Sequence, residues 1–152
     1  VNAHDAIVDA VLALLAQAPA VTAGPIGEDV DIGSLPETTD EAVCISIVGS
    51  DPESPTVLMG APVDWTTTVQ IECYARADAR SAAGRASRAL HARVYQRLMA
   101  GNPLGAAIVG ADLRQPTIRS DMQVLDTRTG ITVGLYPVSH RTVGNTLNSP
   151  GA

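Results

Sequence analysis

A chain of 152 residues is the size of one domain with a real core, and its hydrophobic content of 45% is ordinary. With one Trp, three Tyr and no Phe, small Ala and Val side chains must fill that core, which implies close approach of helix to sheet. The net charge of −6 argues against general nucleic-acid binding, which needs clustered positive charge.

The charge is also segregated. Residues 1–75 hold twelve acidic groups and no Arg, whereas residues 76–152 hold ten Arg against four acids, and there is no Lys. These charges read either as solvated surface or as opposite-sign surfaces that meet between copies of the chain.

Asn2 is a candidate N-cap for a helix over 3–17, with Asp5 placed to complement the helix N-terminus. Ala6, Val8, Val11, Leu12, Leu14 and Leu15 make that helix apolar over a wide arc, and Ala18-Pro19 ends it. Residues 22–40 hold Gly, Pro and many acids with little periodicity, which predicts an exposed loop with a short strand near 30–32. A strand follows at 42–48, and the prolines of 49–63 predict a second long connection.

From Trp65 the alternation is strict. Trp65, Thr67, Val69, Ile71 and Cys73 share one face, and Thr66, Thr68, Gln70, Glu72 and Tyr74 the other, as in a half-buried strand over 65–76. A helix is expected over 77–99, with Ala83, Ser87, Leu90, Val94 and Leu98 in one stripe and Ser81, Arg85, Arg88 and Gln96 pointing away. Gly101-Asn102-Pro103 stops it. Strand-like sequence returns at 111–118. Residues 120–141 predict a closing hairpin with its turn at Thr127-Arg128-Thr129 and Gly130 in the left-handed position. Pro137 then marks an edge or a bulge.

No arrangement points to catalysis or to a cofactor. His4, His91 and His140 lie far apart in sequence and outside any metal-ligand spacing, and His91, in an Arg-rich helix, is expected to be solvated or to line an interface. The acids near Gly33 lack the pattern and the distal Glu of a calcium loop. No nucleophile elbow or phosphate-binding loop is present. Strand parity places Cys44 and Cys73 on opposite sides of the sheet, so they are expected to stay reduced in an intracellular assembly. The first helix, with Asp5 and Asp9 and no basic start, is not read as a secretory signal, and no apolar run is long enough for a membrane span.

The strand TTTVQIECYA leading into a helix of small residues and Arg resembles the tail terminator (tail completion) proteins of long-tailed bacteriophages. The parts that correspond are 3–17, 24–41, 42–48, 65–76, 77–99 and 119–141, so the likeness covers most of the chain in element order, without a signature motif.

The expected fold is α/β (α+β): a single two-layer domain over 1–143, with a mainly antiparallel sheet, one long helix and the N-terminal helix packed on it. Residues 144–152 are expected to form a flexible tail. The resemblance implies a structural virion protein: a hexameric ring that caps the tail tube, ends its polymerisation and offers the head-joining surface. Its partners are then further copies of itself, the tail tube protein and a head–tail connector or head-closure protein, at the tail–neck junction of a virion assembled in the host cytoplasm. DNA passes through the lumen without specific binding, and no membrane, metal, cofactor or catalytic residue is implied. Candidate subunit-interface residues are Arg85, Arg88, Arg128 and Tyr136. Candidate lumen- or partner-facing acids are Glu28, Asp29, Asp31, Asp51 and Glu53. The alternatives are another neck or head-closure protein of a phage or phage-derived particle and, farther off, a cytosolic small-molecule-binding α/β domain.

Overall fold

Asn2 caps the first helix, α1 (Ala3–Ala16), its side-chain Oδ1 accepting from the His4 N–H at 2.8 Å. The helix is apolar enough on one side to bury Ala3, Ile7, Val8, Val11 and Leu15. A computed structural model describes residues 2–54, 58–120, 128–144 and 146–150 of the chain. After α1 come β1 (Ile26–Gly27), a 3-10 turn (Ile32–Ser34), β2 (Glu41–Pro52), β3 (Val63–Arg76), α2 (Arg80–Met99), α3 (Pro103–Ala107), β4 (Asp112–Leu113), β5 (Thr117–Ser120) and β6 (Thr129–Thr142).

The strands form one six-stranded sheet in the order β1-β2-β3-β6, with β4 and β5 both on the far side of β6. β1 is parallel to β2, and every other pair is antiparallel. The fold is therefore α+β, with α1 and α2 packed against a mostly antiparallel sheet.

Alternation along β3 does what the sequence predicts. Thr67, Val69, Ile71, Cys73 and Ala75 are buried, and the residues between them are half-buried on the face opposite the helices. The α2 stripe of Ala83, Ser87, Leu90, Val94 and Leu98 is buried against this sheet, while Ser81, Arg85, Arg88 and Gln96 are exposed. Each fully buried Leu or Val contributes roughly 1.5–3 kcal/mol, so this seam carries much of the stability.

Several boundaries differ from expectation. β2 does not stop at Val48, because a register shift between Ile47 and Gly49 absorbs the extra residue and lets the strand run on to Pro52, opposite Trp65. The short strand of the acidic loop lies at Ile26–Gly27, and residues 30–32 lead into the 3-10 turn. Strand-like sequence at 111–118 forms two short pieces, and a helical turn with Pro103 at its start precedes them.

Gly130 is not a turn residue. It lies inside β6 opposite Ala75, and a Cβ there would run into the backbone of Ala83 and Gly84. Glycine is needed because the first turns of α2 cross the strand at backbone contact. The expected first arm of the closing hairpin at 122–126 and the start of its turn lie outside the described residues.

Pro137 stands in an interior strand, opposite Thr68. Its carbonyl accepts from the Arg114 N–H at 2.9 Å, so its missing donor also faces the β4–β5 side. There the pairing slips between Leu113↔Val138 and Thr117↔Leu135, which is the bulge that proline tolerates.

The expected loose tail is partly docked. Ala3 donates to the Leu147 carbonyl at 2.8 Å, and Asn2 bridges Asn148, so residues 146–148 close over the start of α1.

Candidate functional site

The candidate residues fall into separate places. Arg85 and Arg88 are exposed on the outer side of α2. Arg128 is exposed just before β6 and lines a shallow cleft with Gly33, Glu37, Asp40, Arg76 and Asp78. Tyr136 is no surface residue at all. It is fully buried on the helix-facing side of β6, its hydroxyl 2.9 Å from His91 Nε2, so it offers nothing to a neighbouring subunit. His91, expected to be solvated or at an interface, is likewise buried, because it continues the α2 stripe four residues after Ser87 and three before Val94.

The acidic residues form two groups rather than one patch. Glu28, Asp29 and Asp31 belong to the exposed loop after β1, where the Cys44 thiol bonds the Glu28 carbonyl at 3.3 Å. Asp31 Oδ1 accepts from the Gly33 N–H at 3.0 Å and so caps the 3-10 turn. Asp51 lies seven residues along β2 from Cys44, about 23 Å at the rise of an extended strand, and Glu53 follows just beyond the strand end.

Three ion pairs bring the two charged halves of the sequence together within one copy. Arg93 pairs with Glu41, Arg114 with Glu53 at 3.2 Å and Arg141 with Asp64 at 2.7 Å, each pair joining the basic half to the acidic half. The bond from Arg141 holds the Asp64 carboxyl below its ordinary value. Arg76 donates to the Ile32, Pro36 and Thr39 carbonyls and clamps the acidic loop. Arg97 does the same for the end of α1, donating to Leu14, Gln17 and Pro19.

Sequence reasoning missed a chain of polar groups on the helix-facing side of the sheet. His4 Nε2 is 2.7 Å from Ser50 Oγ, Ser50 Oγ is 2.7 Å from Thr67 Oγ1, and Thr67 Oγ1 is 2.6 Å from His140 Nε2. These contacts tie α1 to β2, β3 and β6. His140 is buried, its Nδ1 has no partner, and the His4 ring stands edge-on 6.0 Å away.

Burial lowers the basicity of His91 and of His140, the latter further opposed by His4 and favoured by Glu53. The signal was parity, since His140 shares its face of β6 with Val138 and Tyr136.

The chemistry open to these groups is limited. Burial pushes the Cys73 thiol up to about 12 and raises Cys44 as well, so neither is an activated nucleophile. Among the described residues His4, His91 and His140 bond hydroxyls, of Ser50, Tyr136 and Thr67 respectively, and no carboxylate. Among those residues no three His, Cys, Asp or Glu side chains gather to hold a metal ion, and no helix is long and apolar enough to cross a membrane.

The sheet face away from the helices is occupied by Thr66, Thr68, Gln70, Glu72 and Tyr74, with Glu72 accepting from both Gln70 and Tyr74. Burial and that carboxylate raise the Tyr74 phenol's pKa. This polar, half-exposed face and the sheet edges are the surfaces the fold leaves for partners. No known family model matches the chain, and comparison with curated proteins finds no match.

Proposed function

We propose that this chain is a ring-forming structural subunit of a tailed-phage particle, of the tail terminator kind. Such a ring caps the tail tube, ends its polymerisation and presents the surface to which the head is joined. The observation that carries the reading is the order of parts. A capped helix, an acidic loop, a long β2–β3 hairpin, an Arg-bearing helix and a long closing strand follow one another around a sheet covered on one face only.

A subunit of a ring needs two different surfaces that fit each other, and a one-sided sheet with open edges offers them. Polar side chains on the uncovered face, with the exposed acids of the Glu28–Asp31 loop beside it, suit a lumen through which DNA must pass without sticking. Exposed Leu58 and Met59, in the loop between β2 and β3, are 82% and 97% accessible and suit a contact with the tube or the connector.

The test is deletion of the protein from the particle that encodes it. Tails of uncontrolled length that fail to join heads are expected. Normal tail length with normal joining overturns the reading.

A further inference from the structure

The polar chain from His4 to His140 can be counted proton by proton. It has three contacts: His4 Nε2 to Ser50 Oγ at 2.7 Å, Ser50 Oγ to Thr67 Oγ1 at 2.7 Å, and Thr67 Oγ1 to His140 Nε2 at 2.6 Å. Each contact needs one hydrogen, and the two hydroxyls supply one each. The third comes from a ring, and the chain is then saturated. One imidazole donates through an Nε2–H, and the other accepts through a bare Nε2.

A further proton has no place in this arrangement. It turns the accepting ring into a second donor and leaves one hydroxyl hydrogen without a contact in the chain. It also brings positive charge into the layer between α1 and the sheet, where His140 is buried and the two ring centroids are 6.0 Å apart. On His140 that charge comes with an Nδ1–H that has no partner among the described residues. On His4 it falls in the first turn of α1, beside the positive end of the helix.

The surroundings offer the charge little. Towards the chain, β2 presents Ser50 and β3 presents Thr67, while Trp65, opposite His140, gives its indole N–H to Thr142 Oγ1. Glu53 favours a charged His140, yet it bonds Arg114 and Thr66, and Thr66 belongs to the face away from the helices. By their strand registers Asp51, Asp64, Asp112 and Arg141 share that far face, and Asp64 and Arg141 bond each other. Asp5, next to His4, is exposed, and residues 146–150, which close over the start of α1, carry no charge.

The parts that hold the chain together differ in how firmly they are fixed. β3 and β6 lie inside the sheet with long ladders between them. The first turn of α1 is held by the Asn2 cap, by the Ala3 N–H on the Leu147 carbonyl and by the Asn2–Asn148 bridge, and the side chain it buries is the small Ala3.

We propose that the His4–Ser50–Thr67–His140 chain is a proton-operated latch: acidification frees the first turn of α1, together with residues 146–148 bonded to it, from a sheet that stays folded. The latch is a property of the single chain and does not rest on the assembly reading. An imidazole that is refused a proton in the closed latch accepts one on release, at the ordinary value near 6.5, so opening is favoured as pH falls through that value. Burial and the His4 charge already oppose a proton on His140 in the closed state.

Hydrogen exchange of the full chain at pH 7.5 and at pH 5, with the intrinsic chemical rates divided out, tests this. The reporters are the amides of Ala3, Ala6 and Val143, bonded to Leu147, Asn2 and Asn148 when the latch is closed. At both pH values they should be less protected than the amides of Val69 and Ile71 in β3. Their protection should fall about ten- to thirty-fold between the two, the effect of one imidazole proton. In a His4→Gln/His140→Gln protein the fall should shrink to less than about twofold, whereas His91→Gln, which leaves the latch intact, should keep it.

Three results overturn the proposal. The first is reporter protection in the parent that does not change with pH. The second is reporters as protected as β3 at pH 5, which means that they open only when the whole domain does. The third is a folded double variant whose reporters respond to pH as the parent's do. The first two are read on the parent alone, so a double variant that fails to fold does not shield the latch from test.

Discussion

The Tyr136 hydroxyl and His91 Nε2 meet at 2.9 Å in the layer between β6 and α2, and Gly134 makes room for the pair. A Cβ at Gly134 would lie 2.5 Å from His91 Nε2 and 2.6 Å from Tyr136 Cε2. This buried polar bond links the longest helix to the closing strand.

Removing one partner leaves the other unsatisfied, which costs about 1–3 kcal/mol, whereas replacing both with apolar groups costs less than the sum. Tyr136→Phe and His91→Leu should each lower stability in urea unfolding, and the double variant should fall short of additivity. Gly134→Ala should destabilise too. Additive losses in the double variant would show that the two groups are not coupled.

Stability should fall as the solution is acidified from pH 7.5 to pH 5. Burial lowers the folded-state pKa of His91 and of His140 from the ordinary value of 6.5. The unfolded chain then binds more protons in this window, so the stabilisation is complete above 6.5 and is lost as pH falls through the folded values. Each histidine contributes a slope of at most about 1.4 kcal/mol per pH unit. Around His140 stand Thr67, the His4 ring and the Glu53 charge, and around His91 the Tyr136 hydroxyl. The Asp64 carboxyl, held below 3.8 by Arg141, loses its contribution only at lower pH. Thermal melts of His91→Gln/His140→Gln protein should be flatter between pH 7.5 and 5 than those of the parent. An equal slope refutes the assignment.

What the sequence made legible was periodicity. Strict alternation from Trp65 to Tyr74 and the Ala83–Leu98 stripe located the two largest elements and their buried faces. Local signals failed where a distant element decided the outcome. Gly130 looked like a turn glycine because nothing in its neighbourhood reveals that Ala83 crosses it. Tyr136 looked like an interface residue because an aromatic ring on a strand does not disclose that His91 lies above it. The acidic and basic halves read either as solvated surface or as surfaces for different copies, and Arg93–Glu41, Arg114–Glu53 and Arg141–Asp64 show that folding itself joins them at three points. The His4–Ser50–Thr67–His140 chain draws on four elements, and no local window contains it.

Thiol reactivity should distinguish the two cysteines. Cys73 is buried on the helix side, while Cys44 is half-buried on the other face, and both are free thiols. Under native conditions a thiol reagent should modify Cys44 first, with Cys73 reacting only as fast as the domain opens. Denatured, non-reduced protein should titrate two thiols per chain. A denatured count of zero means that the assigned strand faces are wrong.

Arg97 should matter more to folding than its partial exposure suggests. Its guanidinium donates to three carbonyls at and beyond the end of α1, at Leu14, Gln17 and Pro19, where the helix has no basic residue of its own. Arg97→Ala should cost about 1–3 kcal/mol, as charge-assisted bonds do, and Arg97→Lys should recover little because an ammonium cannot span the fork. Exposed Arg85→Ala is the control and should change stability by less than about 0.5 kcal/mol. Val94→Asp, which buries an unpaired charge in the seam, should unfold the domain outright. Chemical denaturation of all four ranks them, and an Arg97→Ala protein as stable as the parent would sink the clamp.

The last prediction concerns salt. A ring held by attraction between an acidic half and a basic half would dissociate at high ionic strength, since the Debye length shrinks from about 8 Å at 0.15 M to about 3 Å at 1 M. In this chain, however, Arg93, Arg114 and Arg141 already pair with Glu41, Glu53 and Asp64 within one copy, and Arg76 and Arg97 are engaged by its backbone carbonyls. Copies joined instead through exposed apolar side chains such as Val48, Leu58, Met59 and Ile118 would not be loosened by screening. Sedimentation velocity on the purified protein, alone and with tail tubes, should therefore give an assembly that survives 1 M salt, with the six-fold mass that the terminator reading expects. An assembly that falls to monomers between those two concentrations would mean that side-chain charge, and not apolar burial, holds the copies together.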